Sequence, residues 1–426
     1  MEAVVLAGGF GTRLKGCIDN IPKPLAPVNG RPFLTYLLDY LYANGVHRAV
    51  ISTGYLAEKV EETIGNRYRG MAIEYSVEDT PLGTGGGIKK ALRKCTEDNI
   101  VVCNGDSFFD VDLFRMRSFH LDSGFPVTLA AKFIENAHRS GLLEFSNGKL
   151  NGFTENGIAP SGHINGGVYF INRTLLESID EDKFSFEKSV LAGPFDIGVY
   201  ESDGYFIDIG VPESYELSNR ESGRLVSRRK RCAVFLDRDG TINKDTGHLF
   251  RKEEFEFLPD VDKAIATLKK MGYLVIVITN QAGVAKGLYS EEDVHILHDY
   301  IDSLLIEKHS AVADGYYYCP HHPEATVEEY RAHCGCRKPE AGLILKAVSD
   351  YAETGIDIDL TQSYSIGNRI SDILAGKNAG IGHNVLIGND ETDENGEPIY
   401  RDIHPVGDWE ILGVVDNVIH SPKKDV

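Results

Sequence analysis

Two aspartates two positions apart, Asp237 and Asp239, follow the apolar run Val234-Phe235-Leu236 and precede Gly240-Thr241. At the C-terminal end of a buried strand such a pair converges on one site, and its mutual repulsion calls for a cation. Asp237 is placed to attack phosphorus and form an aspartyl phosphate. Asp239 is placed to protonate the leaving alkoxide and then to activate water; an acidic turn is the bland alternative. A second constellation is Cys319-Pro320-His321 followed, after twelve residues, by Cys334-Gly335-Cys336. Three thiolates and an imidazole make a closed tetrahedral set suited to structural Zn²⁺, with a role in folding because no coordination position is left open. His322 and His333 are nearby alternates, read as solvated or supporting groups. A third constellation opens the chain: Leu6-Ala7-Gly8-Gly9-Phe10-Gly11-Thr12-Arg13, then Pro22-Lys23-Pro24. Glycines after a strand let the backbone approach phosphate and point N–H groups at anions. Arg13 offers a planar fork for a β- or γ-phosphate, and Lys23, between two prolines, is a positioned point charge. The loop carries neither a Gly-x-Gly-x-x-Gly fingerprint nor a Walker loop.

These residues need buried strands to present them. Short apolar runs stand at Ala3–Leu6, Ala49–Ser52, Ile100–Cys103, Val127–Ala131 and Val168–Ile171, and again at Ala233–Leu236, Leu274–Ile278, Tyr364–Ile366 and Val385–Ile387. With helical-period segments between them they read as buried strands of parallel α/β sheets. The stripe Phe33, Leu34, Leu37, Leu38 and Leu41 predicts a helix over Phe33–Ala43, and Asp260–Met271 and Glu291–Glu307 read alike. The chain has 426 residues, 42% hydrophobic and 25% charged, with a net charge of −20. That suits two or three globular domains and argues against a nucleic-acid partner, though not against phosphates neutralised by a bound cation. No run reaches the roughly 18 apolar residues of a membrane span, and the opening residues do not read as a signal peptide. Seven cysteines, odd in number and uneven in spacing, suit metal binding better than disulfides and imply a reducing cytoplasm. Cys17, Cys95, Cys103 and Cys232 read as buried thiols. The strand series restarts near Cys232, after a polar stretch holding Arg224, Arg228, Arg229, Lys230 and Arg231. This sets the expected organisation: a first domain over 1–222, a basic linker over 223–231 and a second domain over 232–426. Gly388–Pro398 reads as a surface loop.

Residues 1 to about 220 resemble the sugar-1-phosphate nucleotidyltransferases. The match rests on the opening loop, Leu82-Gly83-Thr84-Gly85-Gly86-Gly87, Asn104-Gly105-Asp106, Phe153-Thr154-Glu155, Asn165-Gly166-Gly167 and Ile207-Asp208-Ile209-Gly210-Val211-Pro212, in the family's order. The resemblance implies nucleotide binding by Leu6, Ala7, Gly8, Gly9, Gly11, Thr12, Gly83, Thr84 and Gly85. It implies Mg²⁺ at Asp106 and Asp208, and substrate contacts from Asp106, Glu155, Asn165 and Gly166. Arg13 and Lys23 would stabilise charge on the phosphates. One departure is Asn156, where many relatives have a lysine after the glutamate; Lys132 is a candidate replacement. The phrasing around Asp106 and Asp208 is most like heptose 1-phosphate guanylyltransferases.

Residues 230 to about 420 resemble the haloacid-dehalogenase-type phosphatases, on Asp237–Asn243, Thr279-Asn280-Gln281, Arg337-Lys338-Pro339 and Ile366–Asp372. The resemblance implies phosphate or substrate contacts from Thr279, Asn280, Gln281, Arg337 and Lys338, and Mg²⁺ at Asp237, Asp239 and Asn368. Relatives usually have aspartate at that last position; asparagine ligates through its carbonyl with one less charge, and Asp372 is at hand to help. The zinc loop of Cys319, His321, Cys334 and Cys336, leading into Arg337-Lys338, is similar to heptose 1,7-bisphosphate 7-phosphatases and to histidinol-phosphate phosphatases.

The implied architecture is α/β: a Rossmann-like nucleotidyltransferase domain followed by a doubly wound haloacid-dehalogenase-like domain with a zinc-binding loop. The implied function is bifunctional. The second half would remove the 7-phosphate of D-glycero-α-D-manno-heptose 1,7-bisphosphate, and the first would join GMP from GTP to the heptose 1-phosphate. Two alternatives stand beside it: a mannose or other hexose 1-phosphate guanylyltransferase fused to a different sugar-phosphate phosphatase, and a catalytically weakened sugar-phosphate-binding regulator marked by Asn156 and Asn368. The sequence leaves homo-oligomerisation open.

Overall fold

A computed structural model of the chain describes residues 1–8 and 21–387, setting aside the side chains of 136–140 and 156–158. The chain divides into two compact units, Met1–Ser227 and Arg228–Val426.

In the first unit the strand Glu2–Leu6 runs parallel to Arg48–Thr53 on one side and Asn99–Asn104 on the other. Ala3, Val4 and Val5 have no exposed surface. A strand covered on both faces needs a continuous apolar run, which is what the sequence supplies. Eight strands follow the order Ile197–Glu201, Val127–Ser146, Lys149–Asn172, Asn99–Asn104, Glu2–Leu6, Arg48–Thr53, Met71–Val77, Arg67–Tyr68. The helix Phe33–Ala43 starts after Pro32 and ends at Asn44, and it buries Tyr36, Tyr40 and Tyr42 as well as its leucine stripe, so it is enclosed nearly all round.

The sheet departs from the expected all-parallel form. Val168–Ile171 lies in the long strand Lys149–Asn172, which is antiparallel to both its neighbours. That strand is the return arm of a hairpin turning at Asn147 (φ 50°) and Gly148 (φ 72°), the left-handed pair that a two-residue turn needs. Only the core-covered ends of this hairpin carry apolar runs, so the rest was invisible to a search for buried strands.

The second unit holds five parallel strands in the order Gly315–Cys319, Leu274–Asn280, Ala233–Leu236, Tyr364–Gly367, His383–Leu386. Helices Val261–Lys270 and Glu291–His309 flank it, the latter started by a Ser290–Asp293 capping box. Val234, Leu236, Val275, Val277 and Ile366 from the sheet meet Ala264, Ile265, Leu268, Leu297 and Ile301 from these helices in one core.

The basic stretch expected as a linker over 223–231 is structured instead. Ser222–Arg224 is a 3-10 turn, with the Arg224 guanidinium 4.0 Å above the Tyr205 ring. Arg229–Arg231 is a strand parallel to Ile356–Ile358. Buried Arg231 donates to the Gly272 carbonyl at 2.8 Å, and Lys230 pairs with Asp359 at 2.8 Å. Charge in sequence suggested a linker; the side chains of Arg224, Lys230 and Arg231 have partners within their own units. Gly9, Gly11, Thr12, Arg13, Cys17 and the loop Gly388–Pro398 lie outside the described residues, as does the side chain of Asn156. Among the described residues no helix is long and apolar enough to cross a membrane.

Candidate active sites and metal centre

In the first unit the site lies beyond the carboxyl ends of the parallel strands, where open α/β sheets bind ligands. Strand Asn99–Asn104 ends beside Glu2–Leu6, and the Gly105 N–H donates to the Leu6 carbonyl at 2.9 Å. A Cβ at 105 would come within 2.5 Å of that oxygen, so only glycine permits the approach. The chain then reverses into Ser107–Phe109, which pairs antiparallel with Phe206–Asp208 in a register that sets Asp208 opposite Ser107. The two expected metal aspartates are therefore brought together by a two-stranded ribbon. Lys23 stands between them, its Nζ 2.5 Å from Asp106 Oδ2 and 3.8 Å from Asp208 Oδ1. Asp208 Oδ1 also accepts the Gly210 N–H at 2.6 Å. Two carboxylates converging from a turn and a strand are a donor set that fits a hard divalent cation.

Beside them is a cavity of about 520 Å³ whose walls include Leu6, Gly8, Tyr55, Glu78, Asp79, Gly83, Thr84, Asn104 and Asp106. Thr84 is held by its hydroxyl, which donates to Glu187 at 2.7 Å and accepts the Phe186 N–H at 2.9 Å. Gly85 does not reach the cavity: it is buried, and a Cβ there would lie 2.1 Å from the Phe184 ring. Its role is to let helix Gly83–Leu92 close on that ring. Glu155 is exposed, with Lys188 Nζ 3.9 Å from its Oε2. Lys132 is not the cation beside Glu155, since its ammonium is bound to the Asp203 carbonyl at 2.9 Å. Asn165 donates to the Tyr169 hydroxyl at 2.7 Å and accepts the Gly167 N–H at 3.1 Å, while Gly166 packs under Phe109.

In the second unit the central strand Ala233–Leu236 delivers Asp237, whose N–H donates to the Ile366 carbonyl at 3.0 Å. Lys338 Nζ lies 2.6 Å from Asp237 Oδ1 and 2.7 Å from Asp372 Oδ1, and donates to the Ile278 carbonyl at 2.9 Å. All three side chains are buried. Burial and the Asp372 charge push the Asp237 carboxyl up to about 7 against the pull of Lys338. Burial opposes the Lys338 ammonium, yet Asp237 and Asp372 hold its pKa above the ordinary lysine value.

Asp239 is gripped on both oxygens. Arg238 Nε and a terminal nitrogen reach Oδ1 at 3.1 and 3.0 Å and Asn243 reaches it at 3.1 Å, while the same Arg238 nitrogen and Gln281 Nε2 each reach Oδ2 at 2.9 Å. Its carboxylate therefore does not stand free as a metal ligand, contrary to the expectation for that side chain. Arg238 is fully buried and also faces His298 Nε2 at 3.4 Å. Burial, with Arg238 beside it, pushes His298 well below the usual histidine pKa, so its ring stays neutral. Asn368 packs against Gly240, where φ is +83° and any Cβ would collide with the amide. Its Oδ1 is buried with no hydrogen-bond partner. An orphaned carbonyl oxygen at the expected ligand position fits an oxygen-seeking cation.

The cysteine cluster is assembled. The Sγ atoms of Cys319, Cys334 and Cys336 are 3.1 to 3.4 Å apart, and His321 Nδ1 is 3.8 Å from Cys319 Sγ and 3.5 Å from Cys336 Sγ. A tetrahedral zinc with bonds of about 2.3 Å sets its sulfurs roughly 3.8 Å apart, so the donor set fits after a small expansion. Cys319 ends the strand Gly315–Cys319, and its carbonyl accepts the Gln281 N–H at 2.8 Å. Cys336 leads into Arg337, which donates to the His321 carbonyl at 3.2 Å, and into Lys338, which exchanges two hydrogen bonds with Asn280 at 3.0 and 3.1 Å. The cluster thus ties the Thr279–Gln281 turn to the site lysine.

The nucleotidyl transferase family model matches residues 2–217. The chain belongs to the nucleotidyl transferase family. A polynucleotide kinase 3 phosphatase family model matches residues 232–381, so the nucleotidyl transferase unit is joined to a haloacid-dehalogenase-like phosphatase fold. The D-glycero-alpha-D-manno-heptose 1-phosphate guanylyltransferase of Aneurinibacillus thermoaerophilus is 44% identical over 226 residues, covering 52% of this chain and 98% of that one. Its namesake from Campylobacter jejuni is 37% identical over 219 residues, covering 50% and 97%. The D-glycero-beta-D-manno-heptose-1,7-bisphosphate 7-phosphatase of Escherichia coli K12 is 40% identical over 184 residues, covering 43% and 90%.

Sequence reasoning overlooked part of each site. In the nucleotidyl transferase unit it passed over Glu78 and Asp79 in the cavity wall. Their signal was positional: they follow the strand Met71–Val77, parallel to Arg48–Thr53, at its carboxyl end. In the phosphatase unit Asp372 had only a supporting role in view. The first turn of helix Ile370–Ala379 buries it at 1% exposure against Lys338.

Proposed function

We propose that the chain is a bifunctional enzyme that removes the 7-phosphate of D-glycero-α-D-manno-heptose 1,7-bisphosphate and then transfers GMP from GTP to the heptose 1-phosphate, releasing pyrophosphate. The observation that carries this is the pairing on one chain. One half is similar to enzymes named for a 7-phosphatase acting on a heptose 1,7-bisphosphate, the other to enzymes named for a guanylyltransferase of the same heptose 1-phosphate. Anomer apart, the product of one is the substrate of the other. The phosphatase relatives are named for the β anomer and the transferase relatives for the α; consecutive action requires one anomer, and the transferring half decides for α.

In the phosphatase unit Lys338 holds Asp237 Oδ1, leaving the second oxygen to attack phosphorus. As the bond to the sugar oxygen breaks, Asp239 donates a proton to it. Asp239 then takes a proton from the water that attacks the aspartyl phosphate, freeing inorganic phosphate and restoring Asp237. Thr279 and Asn280 stand at the phosphate end, and Arg337 faces the rest of the bisphosphate. In the transferase unit a phosphate oxygen of heptose 1-phosphate attacks the α-phosphorus of GTP; Lys23 and Arg13 stabilise the charge, with the loop Leu6–Thr12, Gly83 and Thr84 around the nucleotide and Glu155, Asn165 and Gly166 around the sugar. Mg²⁺, held by Asp106 and Asp208 in one unit and by Asp237 and Asn368 in the other, would neutralise the phosphates. Zn²⁺ would close the Cys₃His set, whose cysteines are not disulfide-bonded, which suits a reducing cytoplasm.

The test supplies the α and β 1,7-bisphosphates in turn, with Mg²⁺ and each of the four NTPs, and follows phosphate, pyrophosphate and nucleotide-sugar by mass spectrometry. Phosphate release followed by GDP-heptose from the α anomer is expected. Pyrophosphate from added heptose 1-phosphate with no phosphate from either bisphosphate would mean a silent phosphatase half. Neither product would end the heptose reading.

A further inference from the structure

Asp239 has three donors, and they are not alike. Arg238 and Asn243 belong to its own loop. Gln281 comes from the end of the next strand, is 1% exposed, and divides its amide among three partners. Its Nε2 donates to Asp239 Oδ2 at 2.9 Å and to Thr279 Oγ1 at 2.8 Å, and its Oε1 accepts the Tyr289 hydroxyl at 2.6 Å. A buried amide has two orientations, and only one presents a donor to a carboxylate. The acceptor-only carboxylate calls for that one, and the Tyr289 hydroxyl locks it by donating to the carbonyl end. The tyrosine has little freedom of its own. Its ring stacks on Phe250 with centroids 5.1 Å apart at 19°, and it lies so close to Gly283 that a Cβ there would be 2.1 Å from the ring.

We propose that Tyr289, acting through Gln281, is a positioning residue for the proton donor Asp239, and that Gln281 serves this line rather than touching substrate. The proposal rests on the phosphatase reading of the second unit. A tyrosine clamped between Phe250 and Gly283 fixes the amide, and the amide shares the outer oxygen of the acid with Arg238, each at 2.9 Å. Loss of the tyrosine hydroxyl leaves the nucleophile Asp237 and its Lys338 partner in place, since neither touches Gln281 or Tyr289 in the hydrogen-bond network above. The nucleophile is spared, and because Gln281 also meets the Thr279 hydroxyl, Tyr289→Phe, which keeps the amide, is the variant that bears most selectively on protonation of the leaving group.

The experiment compares wild type, Tyr289→Phe, Gln281→Met and the double variant on two substrates. The heptose 1,7-bisphosphate expels an alkoxide that needs a proton; p-nitrophenyl phosphate expels a phenolate that does not. The readout is kcat/KM, which covers events through departure of the alcohol and excludes the later water step. Tyr289→Phe is expected to lower kcat/KM on the bisphosphate about tenfold, a fraction of what a general acid contributes, while p-nitrophenyl phosphate changes by less than about twofold. Gln281→Met, which has no carbonyl to leave unsatisfied but also releases the Thr279 hydroxyl, should lower kcat/KM more on the bisphosphate than on p-nitrophenyl phosphate, and the double variant should fall no further than Gln281→Met. Equal losses on both substrates would make Tyr289 merely structural and overturn the proposal, as would no loss or additive losses. Wild type inactive on both substrates would instead end the phosphatase reading itself, and the proposal with it.

Discussion

The two sites occupy equivalent places, at the carboxyl ends of central parallel strands, yet they are built differently. In the transferase unit the side chains of Asp106 and Asp208 are 39% and 56% exposed, and Lys23 is 13% exposed. In the phosphatase unit Asp237, Lys338 and Asp372 are 8%, 3% and 2% exposed. The chemistry explains the contrast. Nucleotidyl transfer joins two anionic substrates that bring both nucleophile and leaving group, so the protein contributes charges that the substrates must be able to reach. Phosphomonoester hydrolysis through an aspartyl phosphate makes one protein oxygen the nucleophile, and its aim must be fixed by buried partners. Each site sets a lysine between its carboxylates, but only at the buried one must that lysine, Lys338, offset the cost of taking both charges out of water.

Reciprocal variants should break the comparison most sharply. Asp237→Asn is expected to lower phosphate release at least about 1,000-fold with pyrophosphate release from heptose 1-phosphate and GTP unchanged. Asp106→Asn is expected to lower pyrophosphate release about 100-fold with phosphate release unchanged; any crossed effect would show that the sites are not separate. Asp237 also has a stability signature. Its folded pKa is raised, so ionising it opposes the fold: the metal-free phosphatase unit should lose stability as pH rises from about 4 toward about 7, and Asp237→Asn should flatten that slope in denaturant titrations.

An intermediate effect is expected at the cysteine cluster. Cys334→Ser, or a strong zinc chelator, should lower the melting temperature of the phosphatase unit by roughly 10 °C and reduce phosphate release, because the loop ends on Arg337 and Lys338. The transferase activity should stand. Unchanged phosphate release after demonstrated loss of the metal would detach the cluster from the site.

The smallest effect sharpens the contrast within the phosphatase. Asn368→Asp adds one ligand charge and should tighten Mg²⁺ binding about tenfold, read by calorimetric titration as well as by the Mg²⁺ dependence of activity. Equal affinity in both forms would remove Asn368 from the ligand set.

Much of this molecule was legible because the signals are local. The helix Phe33–Ala43 has the bounds its leucine stripe indicates, and the apolar runs all fall in strands, though Val385–Ile387 is shifted to His383–Leu386. The Cys₃His spacing closes into one cluster. What was missed depends on partners far along the chain. The basic run Arg229–Arg231 read as part of a linker, but Ile356–Ile358 supplies it with a neighbouring strand. Lys188, not Lys132, faces Glu155 because a segment 33 residues away folds beside it. Gly85 looked like part of a nucleotide loop, but Phe184 occupies the space beside it.

While the transfer reaction came from the resemblance, residue types and spacing by themselves pointed to an aspartyl-phosphate chemistry, an anion-binding loop and a metal centre: an Asp-x-Asp pair after a buried strand, a glycine loop with a positioned lysine, and three thiols and an imidazole in metal register. These depend on covalent neighbours, whose relative positions the backbone limits whatever the fold. Only the tertiary structure decided which groups act together. It set Lys23 between Asp106 and Asp208, Lys338 between Asp237 and Asp372, and Tyr289 behind Gln281 and Asp239. Those pairings span up to 185 residues between Lys23 and Asp208, and they arise from strand order and burial, which make an unpaired charge or amide too costly to leave alone.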